Sequence, residues 1–171
     1  MRATSGLAAL LLAASVSTAV ACEPGLTPIF ACEAARGRKF IQLCAELPLS
    51  ADSGSLQYRF GRLDSSGIIK TPELEFPGER AGSHKRFFGA TYTLRGVYTQ
   101  SVRFLSGGYS YTVFTRTKGS QLQEAGVEVR ALNTGKVATV SCTERPRFYI
   151  HELRGALVCD PQTPVGRACI E

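Results

Sequence analysis

The chain has 171 residues, of which 44% are hydrophobic and 20% are charged, and its formal net charge is +6. This length is typical of a single domain that can bury a core of its own. Because acidic residues are interspersed among the basic ones, the charge density lies far below that of a dedicated nucleic-acid-binding protein. We therefore expect no specific nucleic-acid partner.

The first 21 residues have the features of a secretory signal peptide. Arg2 supplies a positive charge, the run from Leu7 to Ala14 is apolar, and Ala19-Val20-Ala21 is a cleavage signature. The apolar run is shorter than the about 20 residues that a membrane span needs. The sequence thus predicts a signal peptide at 1–21 and a single secreted or periplasmic domain at 22–171, without a transmembrane segment.

Cleavage after residue 21 would place Cys22 at the new N-terminus, where a bacterial lipoprotein carries its lipid. The leucine that usually stands three residues before such a cysteine is Ala19 here. Lipidation would also leave five cysteines, one of them unpaired. We favour the form without lipid and keep the lipoprotein as an alternative.

The six cysteines all lie in the predicted mature domain, and an even number in an exported chain predicts a disulfide framework. They are Cys22, Cys32, Cys44, Cys142, Cys159 and Cys169. The segments Phe30–Cys32 and Phe40–Cys44 are expected to be adjacent antiparallel strands that turn through Arg36-Gly37-Arg38, with Cys32 bonded to Cys44. The pairing of the other four is left open, although Cys159 and Cys169 are expected to pin the C-terminal tail to the sheet.

Strand periodicity follows the first pair. In SLQYRFGR the residues Leu56, Tyr58 and Phe60 share one face. The run TYTLRGVYTQSVRFL is rich in β-branched and aromatic residues, with Gly96 as a bulge or bend. The next run, YSYTVFTRT, alternates again, which predicts another strand.

The last third of the chain predicts a hairpin and two further strands. The runs VEVRAL and KVATVSC flank Asn133-Thr134-Gly135, a typical hairpin turn. RFYIHEL and LVC are each expected to be a strand, and at most a short helical turn is expected near Gln121–Ala125. The sequence therefore predicts an all-β, disulfide-stapled domain, a single antiparallel β-sandwich or barrel of about seven to ten strands.

The spacing of the candidate ligands argues against a metal site or a cofactor. Structural zinc needs cysteines in close pairs, whereas eleven residues separate Cys32 from Cys44. The two histidines are remote from the cysteines: His84 is expected to be exposed in a loop and His151 to lie on a surface strand.

Two acidic residues are candidates for a catalytic pair. Glu73 and Glu75 lie two residues apart, so on a strand they would share a face, as a hydrolase pair could. Pro72 and Pro77 instead favour a solvated sheet edge. We expect the protein not to be an enzyme.

Three basic clusters run directly into aromatic residues: RGRKF, HKRFF and RPRFY. They could form a composite surface for an anionic polymer or a partner protein. Alternatively, the cations protect strand ends from aggregation while the rings enter the core. The favoured binding candidates are Arg36, Arg38 and Lys39 at the tip of the first hairpin.

Several stretches resemble a known group of proteins. FACEAARGRKFIQLC, LQYRFG, PELEF and FLSGGYSYTVFTRTKG together resemble a family of small, uncharacterised exported bacterial proteins that are β-rich and cysteine-stapled. The resemblance covers most of the mature chain and implies kinship but no activity. Gly37-Arg38-Lys39 departs from the family in having an extra basic residue.

A second similarity concerns SGGYSYTVFTRTKG, which is similar to the periplasmic lysozyme inhibitors. Those β-barrels insert a short polar loop into the cleft of an enzyme, and the similarity implies Ser106, Gly107 and Lys118 as the corresponding residues.

Three functions therefore remain open. The favoured one is a secreted or periplasmic binding domain for an anionic envelope polymer or an exported protein. The alternative is an inhibitor of a cell-wall hydrolase, and the third is a hydrolase that uses Glu73 and Glu75.

Overall fold

A computed structural model describes residues 22–34 and 38–171, and nearly all of their regular structure is β-strand. In chain order the strands are β1 (Thr27–Ala34), β2 (Lys39–Glu46), β3 (Ser55–Gly61), β4 (Leu74–Phe76), β5 (Phe88–Leu94), β6 (Val97–Ser106), β7 (Tyr109–Lys118), β8 (Gln121–Ala131), β9 (Val137–Ser141), β10 (Arg147–Phe148), β11 (Val158–Thr163) and β12 (Gly166–Ala168). Two short 3₁₀ helices span Ser83–Arg86 and Ile150–Leu153. The predicted signal peptide and Arg36 lie outside the described residues.

The strands form two sheets that pack face to face. The five-stranded sheet has the order β10-β1-β2-β3-β4, and the seven-stranded sheet has the order β12-β11-β5-β6-β7-β8-β9. Neighbouring strands are antiparallel except β11 and β5, which run parallel with Val158 opposite Phe88. The all-β prediction is confirmed, and the arrangement is a sandwich.

The core lies between the inner faces of the sheets. The five-stranded sheet contributes residues such as Phe30, Leu43 and Tyr58, whose alternation along the strands places them on one side. Phe104 of β6 is the central ring. It lies against four other aromatic rings, with centroid distances between 4.6 and 5.5 Å, and these rings are Tyr58, Phe76, Phe87 and Tyr111. Burial of these rings provides a large share of the apolar contact between the sheets.

One local prediction is corrected. Gly96 was expected to be a bulge or bend in a continuous run, but Arg95 (φ 50°) and Gly96 (φ 76°) form the tight turn that reverses the chain between β5 and β6. Near Gln121–Ala125, where at most a short helical turn is expected, β8 begins at Gln121 and pairs with β7 from there.

The end of the chain also differs from expectation. The run RFYIHEL is a strand only over Arg147–Phe148, and His151 lies in the second 3₁₀ helix. The hairpin around Asn133-Thr134-Gly135 is confirmed, since it connects β8 to β9 with Gly135 at φ 69°.

The disulfides connect Cys22 to Cys44, Cys32 to Cys142 and Cys159 to Cys169. The expected Cys32–Cys44 bond is therefore wrong, although β1 and β2 do pair antiparallel as predicted. Cys32 lies opposite Ile41 on the core side, whereas Cys44 lies between the core residues Leu43 and Ala45 and so faces the other way. Two cysteines on opposite faces of a ladder cannot bond to each other.

The Cys32–Cys142 bond joins the two sheets, because Cys142 directly follows β9. The C-terminal tail is attached to the seven-stranded sheet as expected, because Cys159 lies in β11. Cys159 and Cys169 bond to each other, while the carbonyl oxygen of Cys169 accepts hydrogen bonds from the amide and the hydroxyl of Thr91 at 2.9 and 3.1 Å. Ile170 packs over Gly89 and joins the core.

Candidate binding groove

The predicted basic tip offers fewer available cations than the sequence indicated. Arg38 is exposed, but the ammonium of Lys39 lies 2.5 Å from a carboxylate oxygen of Glu73 and 5.2 Å from the centre of the Phe60 ring. Lys39 is thus already engaged within the chain.

The three basic clusters do not form one surface. Arg147 pairs with Ala31, which places RPRFY beside β1. The 3₁₀ helix of HKRFF instead contacts the start of β3, where the Ser83 hydroxyl donates to the Leu56 carbonyl oxygen at 2.7 Å. The start of β3 pairs with the end of β2, so this cluster lies roughly 20 Å from the first hairpin turn. The rings of Phe87 and Phe148 pack in the core, as the alternative interpretation expected.

The candidate hydrolase pair lies at the edge of the five-stranded sheet. Glu75 is in β4, and its carboxylate accepts a hydrogen bond from Nε of Arg59 at 2.7 Å. Glu73 precedes β4 and is bound to Lys39. Each carboxylate is therefore an ion-pair partner of a different cation.

His84 was expected to be exposed, and this prediction is wrong, because its exposed fraction is 0%. Nδ1 lies 3.0 Å from the carbonyl oxygen of Gly54, and Nε2 lies 3.2 Å from that of Ala51. The ring thereby ties the first 3₁₀ helix to the loop before β3. His151 is exposed and lies 3.3 Å from Glu152.

The residues implied by the lysozyme-inhibitor similarity are separated. Ser106 ends β6 and Gly107 lies in the turn to β7, whereas Lys118 ends β7. A strand of this length places Lys118 roughly 30 Å from that turn. Only Ser106 and Gly107 could therefore enter one cleft together.

The most developed polar site is one that the sequence did not indicate. It is a groove of about 260 Å³ on the outer face of the seven-stranded sheet, called the outer groove below. Its floor consists of Ser101 and Arg103 of β6, Ser110 and Thr112 of β7, and Glu128 and Arg130 of β8. Tyr92 of β5 lies on one side, and the Gln162–Pro164 turn after Asp160 forms another part of the wall.

Strand register explains why these side chains meet. Val102 and Phe104 belong to the core, so Arg103 between them points to the outer face. Arg103 lies opposite Thr112, and Thr112 lies opposite Glu128, which forms one polar row across three strands. Arg130 and Ser110 form the next row.

Arg103 and Asp160 form a buried ion pair at the edge of the groove. Nε and Nη2 of Arg103 each donate a hydrogen bond of 2.8 Å to the two carboxylate oxygens of Asp160. The guanidinium also lies 4.4 Å from the centre of the Phe88 ring, while Nη1 is covered and finds no hydrogen-bond partner among the described residues. Asp160 additionally accepts the amide of Gln162 at 2.9 Å, so the pair positions the wall as well as the floor.

The other two arginines of the groove are more accessible. Arg116 contacts Glu124 at 2.7 Å and Glu128 at 3.4 Å, and Arg130 contacts Glu128 at 3.4 Å. The Arg116 guanidinium also covers the ring of Phe114 at 4.0 Å, which helps to bury that residue on the outer face. Arg116 and Arg130 thus form one network with Glu124 and Glu128, and the Arg103–Asp160 pair lies apart from it in the same groove.

The opposite outer face carries a second network, centred on Arg59 of β3. Besides its bond to Glu75, Arg59 donates from Nη1 to Glu23 at 2.5 Å, and Glu23 also accepts from Nη2 of Arg80. Burial raises the pKa of the Glu23 carboxyl, but the hydrogen bonds and charges of Arg80 and Arg59 outweigh it, so the net pKa is lowered.

The other groups with a shifted pKa lie in the core or in a turn. Burial, together with Tyr111, raises the pKa of Tyr58 in the core, and burial and Tyr109 raise the pKa of Tyr111. Hydrogen bonds from Ser66, Lys70 and Ile68 lower the pKa of the Asp64 carboxyl, which shapes a turn. These groups lie outside the outer groove.

Comparison with known proteins finds no matching family model, no matching curated protein and no matching solved structure. Within residues 22–34 and 38–171, His, Cys, Asp and Glu side chains form no group of three that could hold a metal ion. No helix in this same part of the chain is long and apolar enough to cross a membrane.

Proposed function

We propose that the chain is an exported, non-enzymatic binding domain that binds an envelope polymer through the outer groove. The observation that carries the proposal is the buried, bidentate Arg103–Asp160 pair, which lines a cavity on a sheet face. A buried ion pair is weak support for stability, because desolvation offsets its attraction. A cavity with a few convergent polar groups is the usual form of a ligand site.

Export is supported by the cysteines. All six are in disulfides, which is typical of oxidising compartments such as the periplasm or the cell exterior. The Cys22 sulfur is bonded to Cys44, so the lipoprotein alternative requires that this bond be absent. The proposed location is therefore secreted or periplasmic, without lipid on Cys22.

A role without catalysis is supported by the state of the candidate groups. Glu73 and Glu75 are each paired with a cation, and both nitrogens of His84 lie against carbonyl oxygens. With the cysteines in disulfides, these groups are engaged in holding the fold rather than placed around a common cleft.

The test is co-sedimentation of the protein with purified cell-wall material. We expect the wild type to sediment and the groove variant Arg116→Gln/Arg130→Gln to lose at least tenfold in affinity. The matched control Arg38→Gln/Lys39→Gln removes the same charge from the hairpin tip and should bind as the wild type does.

Failure of the wild type to sediment would overturn the proposal. Equal binding by the groove variant, with loss in the tip variant, would move the site to the hairpin tip. Capture of an exported protein that binds through the groove, in place of the polymer, would also contradict the proposed partner.

A further inference from the structure

The charges of the outer groove cancel. Arg103, Arg116 and Arg130 are balanced by Asp160, Glu124 and Glu128, each within 3.4 Å of an arginine. A site for a polyanion would instead present an excess of cations. The groove therefore favours a ligand that is neutral or carries a single negative charge.

The groove nevertheless has hydrogen-bonding capacity left. Arg116 and Arg130 share Glu128 through contacts of 3.4 Å, longer than a normal hydrogen bond. Ser110 and Thr112 add hydroxyl groups that can both donate and accept. The floor thus offers both donors and acceptors, which matches a ligand with several neighbouring hydroxyl groups.

The buried part of the site also favours a ligand with hydrogen-bonding oxygen atoms. Nη1 of Arg103 is a donor without a partner among residues 22–34 and 38–171, and its side chain is more than nine-tenths buried. Polar groups in such a position are normally satisfied. Because Arg103 lines the groove, this donor favours a ligand that brings an acceptor oxygen to that edge.

Size and shape limit the ligand further. A cavity of about 260 Å³ lies just below the usual range for small-molecule sites of about 300–1,000 Å³. It accommodates one ring rather than an extended chain. Tyr92 and Pro164 supply apolar surface at the sides for the carbon face of such a ring.

We propose that the ligand unit bound in the outer groove is a single saccharide ring, neutral or with one carboxylate. This inference rests on the proposed binding function and specifies the chemistry recognised. The affinity comes from hydrogen bonds between hydroxyl groups of the sugar and the side chains of Arg116, Glu128 and Thr112. The net charge of the ligand contributes little to the affinity.

The test is a calorimetric and NMR titration with three probes: a neutral N-acetylglucosamine tetramer, a galacturonate trimer and heparin. We expect millimolar binding of one of the two oligosaccharides, with a dissociation constant that changes less than about twofold between 50 and 500 mM NaCl. Amide shifts should cluster at Ser110–Thr112, Glu128–Arg130 and Gln162–Thr163.

Two variants separate recognition from folding. Glu128→Gln and Thr112→Val should each weaken oligosaccharide binding at least fivefold while the melting temperature stays within a few degrees. The control Lys39→Gln, which lies outside the groove, should bind normally.

The outcomes are distinct from those of the sedimentation test. Sedimentation without binding of either oligosaccharide overturns the saccharide inference and leaves the binding function intact. Binding to heparin alone, with steep salt dependence, also overturns it. If cell-wall material does not sediment the protein, the proposed function fails, and an oligosaccharide that still shifts the groove amides supports the inference for a different source of the sugar.

Discussion

Arg59 and Arg103 occupy similar places on the two sheets but have different surroundings. Each lies on the outer face of its sheet, and each is 6% exposed. Arg59 uses Nε and Nη1 for two carboxylates from separate segments, Glu75 and Glu23. Arg103 uses Nε and Nη2 for the one carboxylate of Asp160, and a cavity lies beside it.

The difference shows how the same buried charge can serve two purposes. Around Arg59 the carboxylates of Glu23 and Glu75 cover the guanidinium on the outer face of the five-stranded sheet. The bond to Glu23 also holds the segment before β1 against this sheet. Around Arg103 a single partner fixes the guanidinium in place and leaves the adjoining surface available. We therefore expect the Arg59 face to affect stability alone and the Arg103 face to affect stability and binding.

The largest expected effect comes from separating the two sheets that carry these faces. Cys32→Ala/Cys142→Ala opens a loop with a sequence separation of 110 residues, and loop closure of that length stabilises by about 5 kcal/mol. Urea denaturation should show this loss in the free energy of unfolding, and both faces should be perturbed.

The matched control is Cys22→Ala/Cys44→Ala, with a separation of 22 residues and an expected loss of about 3 kcal/mol. Because Cys22 precedes Glu23, this variant should disturb the Arg59 network and spare groove binding. Equal loss of binding in both variants would contradict the independence of the two faces.

The next largest effect is expected for Arg103→Met. Removing one partner of a buried pair leaves Asp160 charged and unpaired, which costs about 3–5 kcal/mol. The double variant Arg103→Met/Asp160→Leu should recover most of this loss in chemical denaturation but should not recover ligand binding. A double variant no more stable than the single one would argue against the buried pair.

A smaller loss of about 2 kcal/mol is expected for Arg59→Met. Glu23 and Glu75 keep side-chain exposures of 32% and 28%, so water can solvate them when the arginine is gone. Denaturation under the same conditions checks the order of the two arginine variants. A larger loss of unfolding free energy for Arg59→Met than for Arg103→Met would contradict the comparison. Weaker sedimentation of Arg59→Met with cell-wall material would show that the binding site includes the outer face of the five-stranded sheet.

The smallest effect concerns pH. The folded-state pKa of Glu23 lies below its ordinary value of 4.5, so its contribution is fully present above that pH and is lost as pH falls through the folded value. Glu23→Gln should therefore reduce the free energy of unfolding by about 1 kcal/mol at pH 7. The gap from wild type should narrow as the pH falls below 4.5, whereas a constant gap from pH 7 to pH 2 would exclude the charge as its cause.

Much of the sandwich could be predicted because alternation along a strand reflects burial directly. Leu56 and Tyr58 share a face in the sequence and in the core. The same alternation also bears on the disulfides. Ile41 and Leu43 are apolar and share the core face, so Cys44 faces away from them. Cys32 therefore needs a partner other than Cys44. That partner, Cys142, is 110 residues distant, and no local pattern reports such a contact.

The outer groove could not be predicted for the same reason. In the sequence, Arg103 is only a charged residue between two apolar ones, Val102 and Phe104. Its partner Asp160 reaches it through a parallel pairing of β11 with β5, which joins segments about 70 residues apart in the chain. His84 was misjudged because its partners are backbone carbonyl groups, which every sequence has.

The Cys32–Cys142 bond has a mechanical consequence for a protein attached to a polymer. Force applied across residues 22–171 would pass through this bond, because most of both sheets lies inside the covalent loop that it closes. That loop corresponds to roughly 370 Å of extended chain, which only a reducing agent would release. A pulling experiment should therefore give a short extension for the oxidised protein and a several-fold longer one after reduction.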